Sequence, residues 1–518
     1  MTQAKVEPAA IDALLAPHDR TDRPGFAVGV ALRGQPLYRR GVGMASVELP
    51  VALSPAIRMR IGSTSKHFTA LAVMLLAEQG LLSIDVTPRA VLPELPAWAD
   101  RMTVRQLMAH TSGMRDSLDL ILHSAGPGVA ADAEFQFRML AALDDVNFEP
   151  GATWSYNNGA YVLLAEIVTR LGKMPFGDFL RERIFAPVGM HDTLLRPLDT
   201  DLVPNSATLH VPAPGGGYRR GVFGVPIGGE GGIVSTVDDM LRWLKHMAAP
   251  TVGTAATWQA MRTPMSSHGY ALGLTIDRRR GLTTLHHAGA VVGGSCQMMK
   301  VLDHDLDIIV MSNGLSSLDL HRLVDDIIDR CIPGLPPAEP DIPASPITGI
   351  YYSAHSGRRI ALEDMDGKQA IRIDGTTLPA RRDPDGWLSV PIVPTDMRLM
   401  PDATGDSITL AEYGRSEKLQ RIEAPASARI EPLLGRYHNA ATAMNATVAA
   451  DQGDALASLT LAGPLGGMAY ELKPIGPDLW EARASGTLSL ALLVEVRDDA
   501  IYVTSGRTQR LRFRRSVE

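Results

Sequence analysis

The sequence predicts an α+β domain followed by two antiparallel β-domains, and three observations carry that reading. Helical and strand periodicities intermingle from Met1 to about Pro333. A proline-rich stretch, "IPGLPPAEPDIPASP" at residues 332–346, then interrupts all periodicity. Beyond it, short strand-like runs alternate with Gly, Asp and Pro turns, as in a β-sandwich or barrel.

Taken in chain order, "GFAVGVALRG" and "LYRRGVGMAS" are two strands joined across the Gly34-Gln35 turn. "SKHFTALAVMLLAEQG" sets Phe68, Leu71, Met74 and Leu75 at helical spacing, and Gly80 ends it. "TVRQLMAH", "YVLLAEIVTRLG", "FGDFLRERIF" and "STVDDMLRWLKHM" are further amphipathic helices. Strand texture returns in "YALGLTI", "GLTTLHHAG" and "LDIIVMSNG". Strands at both ends with helices between predict an α/β sheet whose terminal strands meet, beside a helical region.

The C-terminal part repeats itself. "ITGIYYS" at Ile347 has a partner in "LLGRYHN" at Leu433, and "DPDGWLSV" at Asp383 has one in "GPDLWEA" at Gly476. Two such pairs in the same order argue for duplication. The expected domains are therefore 1–333, a linker at 334–346, 347–424, a second linker at 425–432, and 433–518.

Composition narrows the function classes. A chain of 518 residues exceeds one ordinary core. With 45% hydrophobic and 21% charged residues and a net charge of −7, it offers no basic surface for nucleic acid or an anionic membrane. The two cysteines, Cys296 and Cys331, are expected as buried free thiols. The opening "MTQAKVEPAAIDALLAPHDR" lacks the basic start and apolar core of a signal peptide. The longest apolar runs fall short of the roughly 20 residues a membrane span needs. A cytoplasmic protein without membrane contact is expected.

Chemistry concentrates at three places. Ser63 stands three residues ahead of Lys66, where an apolar helix begins. A serine there meets unpaired N–H groups and the positive end of the helix dipole. One turn on, Lys66 lies on the same face and, if buried, can lose its proton and act as base. The plain alternative is a serine N-cap beside an exposed lysine. "FEPGATWSYNNG" carries Tyr156, which can relay a proton, and Asn158, which can hold an amide through donor and acceptor. "TTLHHAGAVVGG" places His287 and Gly289 on an expected edge strand, where glycine would let a substrate backbone approach. His110 is expected to order a turn, and His286 to face away from His287. No H-E-x-x-H or C-x-x-C spacing points to a metal. "GVGMAS" and "GGEGG" read as turns.

Together, Ser63-x-x-Lys66, Tyr156-x-Asn158 and His287-x-Gly289 resemble the three signatures of the penicillin-recognising serine hydrolases. That family includes class C β-lactamases, D,D-carboxypeptidases, esterases and D-amino-acid peptidases. "LMAHTSGM", "IFAPVGM", "GGIVSTVDDM" and "DIIVMSNG" resemble it as well. The bacterial D-aminopeptidase branch is similar in three respects: His-x-Gly in place of Lys-Thr-Gly, a three-domain plan, and "GRYH" opening the last domain.

The resemblance implies a serine β-lactamase/D,D-peptidase-like domain followed by two eight-stranded antiparallel β-barrels. It implies Ser63 as nucleophile, Lys66 and Tyr156 as proton carriers, and Ser63 and Ala290 N–H groups as the oxyanion hole. Asn158, His287 and Gly289 would bind substrate. A histidine is largely neutral at pH 7 and attracts an anion less than a lysine does, which favours amide, ester or peptide carbonyls over free acids. A loop near residues 478–489 would approach the active site, with Glu481 as candidate for the substrate ammonium; this region is shorter than the family's loop. The resulting expectation is a cofactor-free serine hydrolase that releases N-terminal D-residues such as D-Ala from peptides, amides and esters. β-Lactams would be slow acylating inhibitors. Homodimer formation is left open. Two alternatives stand beside it: a D-amino-acid amidase, esterase, D,D-carboxypeptidase or β-lactamase-like hydrolase, and a non-enzymatic muropeptide-binding protein on a retired hydrolase fold.

Overall fold

In the computed structural model, the described residues are all except 1–2, 315–319, 337–341, 343, 374, 391–395, 426–428, 452–455, 485–489 and 517–518. The first region is built on six antiparallel strands: β1 (Phe26–Leu32), β2 (Gln35–Val42), β3 (Thr275–Arg279), β4 (Leu282–Val291), β5 (Gly294–Val301) and β6 (Leu306–Ser312). Their order is β3-β4-β5-β6-β1-β2. The termini of the region do meet, with Phe26 opposite Ser312 and Leu32 opposite Leu306. β5 escaped the sequence reading, because "GSCQMMKV" mixes polar and apolar residues without strict alternation.

Both faces of this sheet are covered, so β1 is apolar throughout rather than alternating. Val28 and Val30 pack beneath α1 (Pro8–Leu15) and a C-terminal helix, Leu320–Cys331. Ala27 and Ala31 face the opposite layer, which holds α2 (Lys66–Glu78), α3 (Ser117–Ala125), α4 (Asn158–Gly172) and α5 (Val237–Ala248). α2 is enclosed on every side: all residues from Lys66 to Leu76 are buried. Cys296 and Cys331 are free and buried.

Residues 349–422 form a nine-stranded antiparallel sheet. Thr376–Pro379 and Arg381–Arg382 lie at opposite ends of the strand order yet are neighbours in sequence. A single strand bent at Ala380 thus brings the sheet nearly to closure. Residues 435–515 form a closed eight-stranded barrel. In both, the opening strand pairs antiparallel with the closing one. The repeated motifs occupy matching places, with Tyr351 and Tyr437 buried on the opening strands. Trp387 and Trp480 stand at the start of matching later strands.

The last barrel docks on the first region through α3. Leu120 and Ser124 of this helix meet Met444, Leu461, Val503 and Phe513 at the barrel's end, and the Tyr470 hydroxyl donates to the His123 carbonyl at 2.7 Å. The apolar core therefore runs without interruption from helix layer to barrel. Parts of both expected linkers, residues 337–341, 343 and 426–428, lie outside the described residues. Among the described residues no helix is long and apolar enough to cross a membrane.

Candidate active site

Ser63 sits on a tight turn, Gly62–Ser65, that feeds α2. Lys66 opens the helix, and its Nζ lies 3.2 Å from Ser63 Oγ, 2.8 Å from Asn158 Oδ1 and 2.6 Å from the Glu230 carbonyl. The ammonium also faces the rings of Tyr156 and Tyr161, at 4.7 and 5.3 Å. Burial pulls the Lys66 pKa from 10.5 to about 7, with Glu230 and Asp116 opposing and Arg507 reinforcing the drop. The exposed-lysine alternative is excluded, since Lys66 has no accessible surface.

Asn158 is the first residue of α4, and Asn157 caps that helix by accepting from the Ala160 N–H. Asp116, which the sequence reading did not single out, holds the start of two helices together. Its Oδ1 accepts from the Leu118 and Asp119 N–H groups of α3, and its Oδ2 from the N–H and Nδ2 of Asn158. The Asn158 amide is thereby oriented with Oδ1 toward Lys66. An aspartate ahead of "SLDLIL" is an N-cap signal in the sequence, but its second partner lies 42 residues away. Glu230, dismissed as part of a glycine-rich turn, supplies the carbonyl on Lys66; its buried carboxylate accepts from Gln136 and the Gly228 N–H.

His110 orders the preceding turn. It adopts φ +60°, its carbonyl accepts from the Ser155 N–H, and its Nδ1 accepts from the Asn157 N–H at 3.1 Å. Its ring packs against Tyr156 with centroids 4.3 Å apart. Burial raises the Tyr156 phenol well above its ordinary pKa, while the nearby Ser63 hydroxyl and Arg507 pull the other way. Among the described residues the phenol oxygen has no partner within hydrogen-bonding geometry.

β4 is an edge strand for half its length only. β3 pairs with it as far as His286, so from His287 onward one backbone edge is left open toward the Ser63 turn. The Thr64 hydroxyl donates to the His287 carbonyl across that gap. Gly289 has a packing reason of its own, beside the expected one. A Cβ there would stand 1.9 Å from the Ile61 carbonyl oxygen and 2.9 Å from Ser63 N, so glycine makes room for the serine turn itself. Gly62, at φ +53°, makes the reciprocal approach to Ala290 N. His287 donates from Nδ1 to the Ala288 carbonyl at 2.6 Å and accepts at Nε2 from the Tyr270 hydroxyl at 3.2 Å. Burial, with Lys66 nearby, pulls its pKa to about 3, so the imidazole is neutral. His286 turns to Asp277 instead, 3.3 Å away.

Ser63, Tyr156, Asn158, His287, Gly289 and Ala290 line one cavity of about 470 Å³. Glu481 does not. It is buried on a barrel strand with its carboxylate on Arg359 and Arg372 of the other barrel and on Arg483. Burial alone would raise its pKa; the guanidinium groups hold it at about 2 instead. Its alternating position on the strand turns it to the barrel–barrel seam, which corrects its assignment to the substrate ammonium. Residues 485–489 of the expected loop lie outside the described residues. The last barrel reaches the cavity through another turn, residues 505–510, which carries Arg507. No local signal marks that residue.

The beta-lactamase family profile matches residues 9–329. A D-aminopeptidase of Brucella melitensis is 28% identical over 474 residues, 88% of this chain and 87% of its own length. A D-aminopeptidase of Gluconobacter oxydans is 26% identical over 70% of this chain and 69% of its own length. In fold the chain is similar to an octameric penicillin-binding protein homologue from Pyrococcus abyssi, with a TM-score of 0.56 and 17% identity over 98% and 99% of the two chains. It is also similar to the D-amino acid amidase of Ochrobactrum anthropi SV3, with a TM-score of 0.54 and 22% identity over 62% and 98%. With well over half its length matched by that one profile, the chain belongs to the beta-lactamase family.

Proposed function

We propose that this chain is a serine hydrolase that releases N-terminal D-residues from peptides, amides and esters through an acyl-enzyme on Ser63. The observation that carries the reading is Lys66: a fully buried amine 3.2 Å from Ser63 Oγ, with its pKa lowered to about 7. At neutral pH a large fraction is unprotonated and can accept the serine proton. Ser63 Oγ attacks the substrate carbonyl carbon, and the N–H groups of Ser63 and Ala290 receive the developing oxyanion. Donors placed there are worth about 3 kcal/mol each. Tyr156, whose ring centre lies 4.7 Å from the Lys66 amine, passes the proton to the leaving nitrogen. Water enters by the same route and releases the acid. Selectivity for D-residues rests on the similarity to proteins named D-aminopeptidase along nearly the full chain. By the same chemistry, β-lactams acylate Ser63 slowly.

An esterase or D,D-carboxypeptidase-like hydrolase of N-blocked substrates is the second reading, and one observation favours it. Glu230 is the one carboxylate lining the cavity among the described residues, and its oxygens are taken by Gln136 and Gly228. The test is a panel of D- and L-alanine p-nitroanilides with and without N-acetylation. Turnover of the free D-amine alone, lost in Ser63→Ala, is expected. Preference for the acetylated forms points to the second reading, and wild-type turnover by Ser63→Ala rejects both.

A further inference from the structure

The position where a lysine would attract an anion holds His287, which is neutral and has both ring nitrogens engaged. A cation enters the cavity from elsewhere. Arg507, on the turn between the last two barrel strands, lines the Ser63 cavity with its side chain 41% exposed. Its guanidinium lies 5.0 Å from the centre of the Tyr156 ring.

The turn is held from the first region. The Asn147 amide donates to the Arg507 carbonyl at 2.8 Å and accepts from the Gln509 N–H at 2.9 Å. Arg115 donates to the Gln509 carbonyl, and the Ser505 hydroxyl meets Asp119. Arg507 is thus presented by a fixed backbone. Its Nη1 reaches Asp116 Oδ2 at 3.5 Å, a long contact to a carboxylate already accepting four N–H bonds. Asp116 balances charge there but leaves the guanidinium's planar fork largely unused.

We infer that Arg507 is a specificity-determining residue that receives a free carboxylate on the leaving group, so that the preferred substrates are dipeptides. The inference rests on the proposed acyl-enzyme reaction. In it the leaving nitrogen takes its proton from Tyr156, and Arg507 stands over that ring. The group expelled past Tyr156 therefore meets a cation, and an amino acid carries its carboxylate one carbon from the departing nitrogen. The last barrel thereby supplies the anion recognition that β4 lacks.

The test compares D-Ala-D-Ala with its C-terminal amide, which shares the scissile bond but not the carboxylate, using the full-length protein. Wild type is expected to favour the acid at least tenfold in kcat/KM. Arg507→Gln is expected to bring that ratio near one, chiefly through KM for the acid, and Arg507→Lys to keep part of it. Equal wild-type rates on the two substrates, cleavage of neither, or an equal loss on both in Arg507→Gln overturns the inference. Labelling by a fluorescent fluorophosphonate separates the two levels. A wild type that labels at Ser63 but ignores the carboxylate refutes this inference alone, whereas one that does not label refutes the serine hydrolase as well.

Discussion

Gly289→Ala tests how the serine is positioned. The added Cβ would lie 1.9 Å from the Ile61 carbonyl oxygen and 2.9 Å from Ser63 N, both backbone atoms that cannot rotate away. Ordinary contact begins at about 3.4 Å, so β4 and the Ser63 turn must separate by about 1.5 Å. Overpacking of this kind costs about 1–3 kcal/mol of stability. Displacing reacting groups by about 1 Å lowers rates roughly a hundredfold. The assay is twofold: thermal or urea unfolding, and the rate of Ser63 acylation by a small fluorophosphonate that touches β4 only at the Ala290 N–H. Both are expected to fall. If glycine served only the approach of a substrate backbone, stability and probe labelling would stay at wild-type values while KM for peptides rose. That outcome would refute the close-approach account.

Three further perturbations follow from the same geometry. On the proposed mechanism neutral Lys66 is the base, and with its pKa near 7 kcat/KM should rise with pH through about 7 and level off above it. His287, near 3, should add no second limb between pH 5 and 9, and a profile flat through 7 would remove Lys66 from the base role. Asp116→Ala removes the acceptor for two α3 N–H groups and for Asn158. A loss of about 1–2 kcal/mol in unfolding free energy is expected, with at least a tenfold fall in acylation rate as Asn158 releases Lys66. Glu481→Gln strips a buried carboxylate from Arg359 and Arg372, so stability should drop by about 3 kcal/mol in urea unfolding. The preference between free and acetylated amines should not change; if it does, Glu481 belongs with the substrate after all.

Much of the site was legible because its parts obey local rules. Ser63 and Lys66 are one helical turn apart, so spacing alone places them on one face. Tyr156 precedes and Asn158 opens a helix that any reading of apolar periodicity finds. His287 and Gly289 sit in a run of strand-forming residues. What these segments share could be recognised only as a resemblance of three motifs; nothing in the spacing between them reports that they converge.

The residues missed, and Glu481, which was assigned to the wrong partner, have the opposite character. Asp116 is an ordinary N-cap until the fold brings Asn158 to its second oxygen. Glu230 contributes a backbone carbonyl, which any residue carries. Arg507 is one arginine among many in a β-rich stretch, and Glu481 is one acid beside a tryptophan. Their assignments depend on which face of a barrel strand or turn meets a neighbouring domain. That is settled by the seating of α3 on the last barrel and by the seam between the two barrels. Sequence alone determined most of the elements and pointed to the candidate groups, because periodicity, turn chemistry and short spacings act within one segment. Tertiary structure decided the charges around those groups, because burial and ion pairing arise only between segments far apart along the chain.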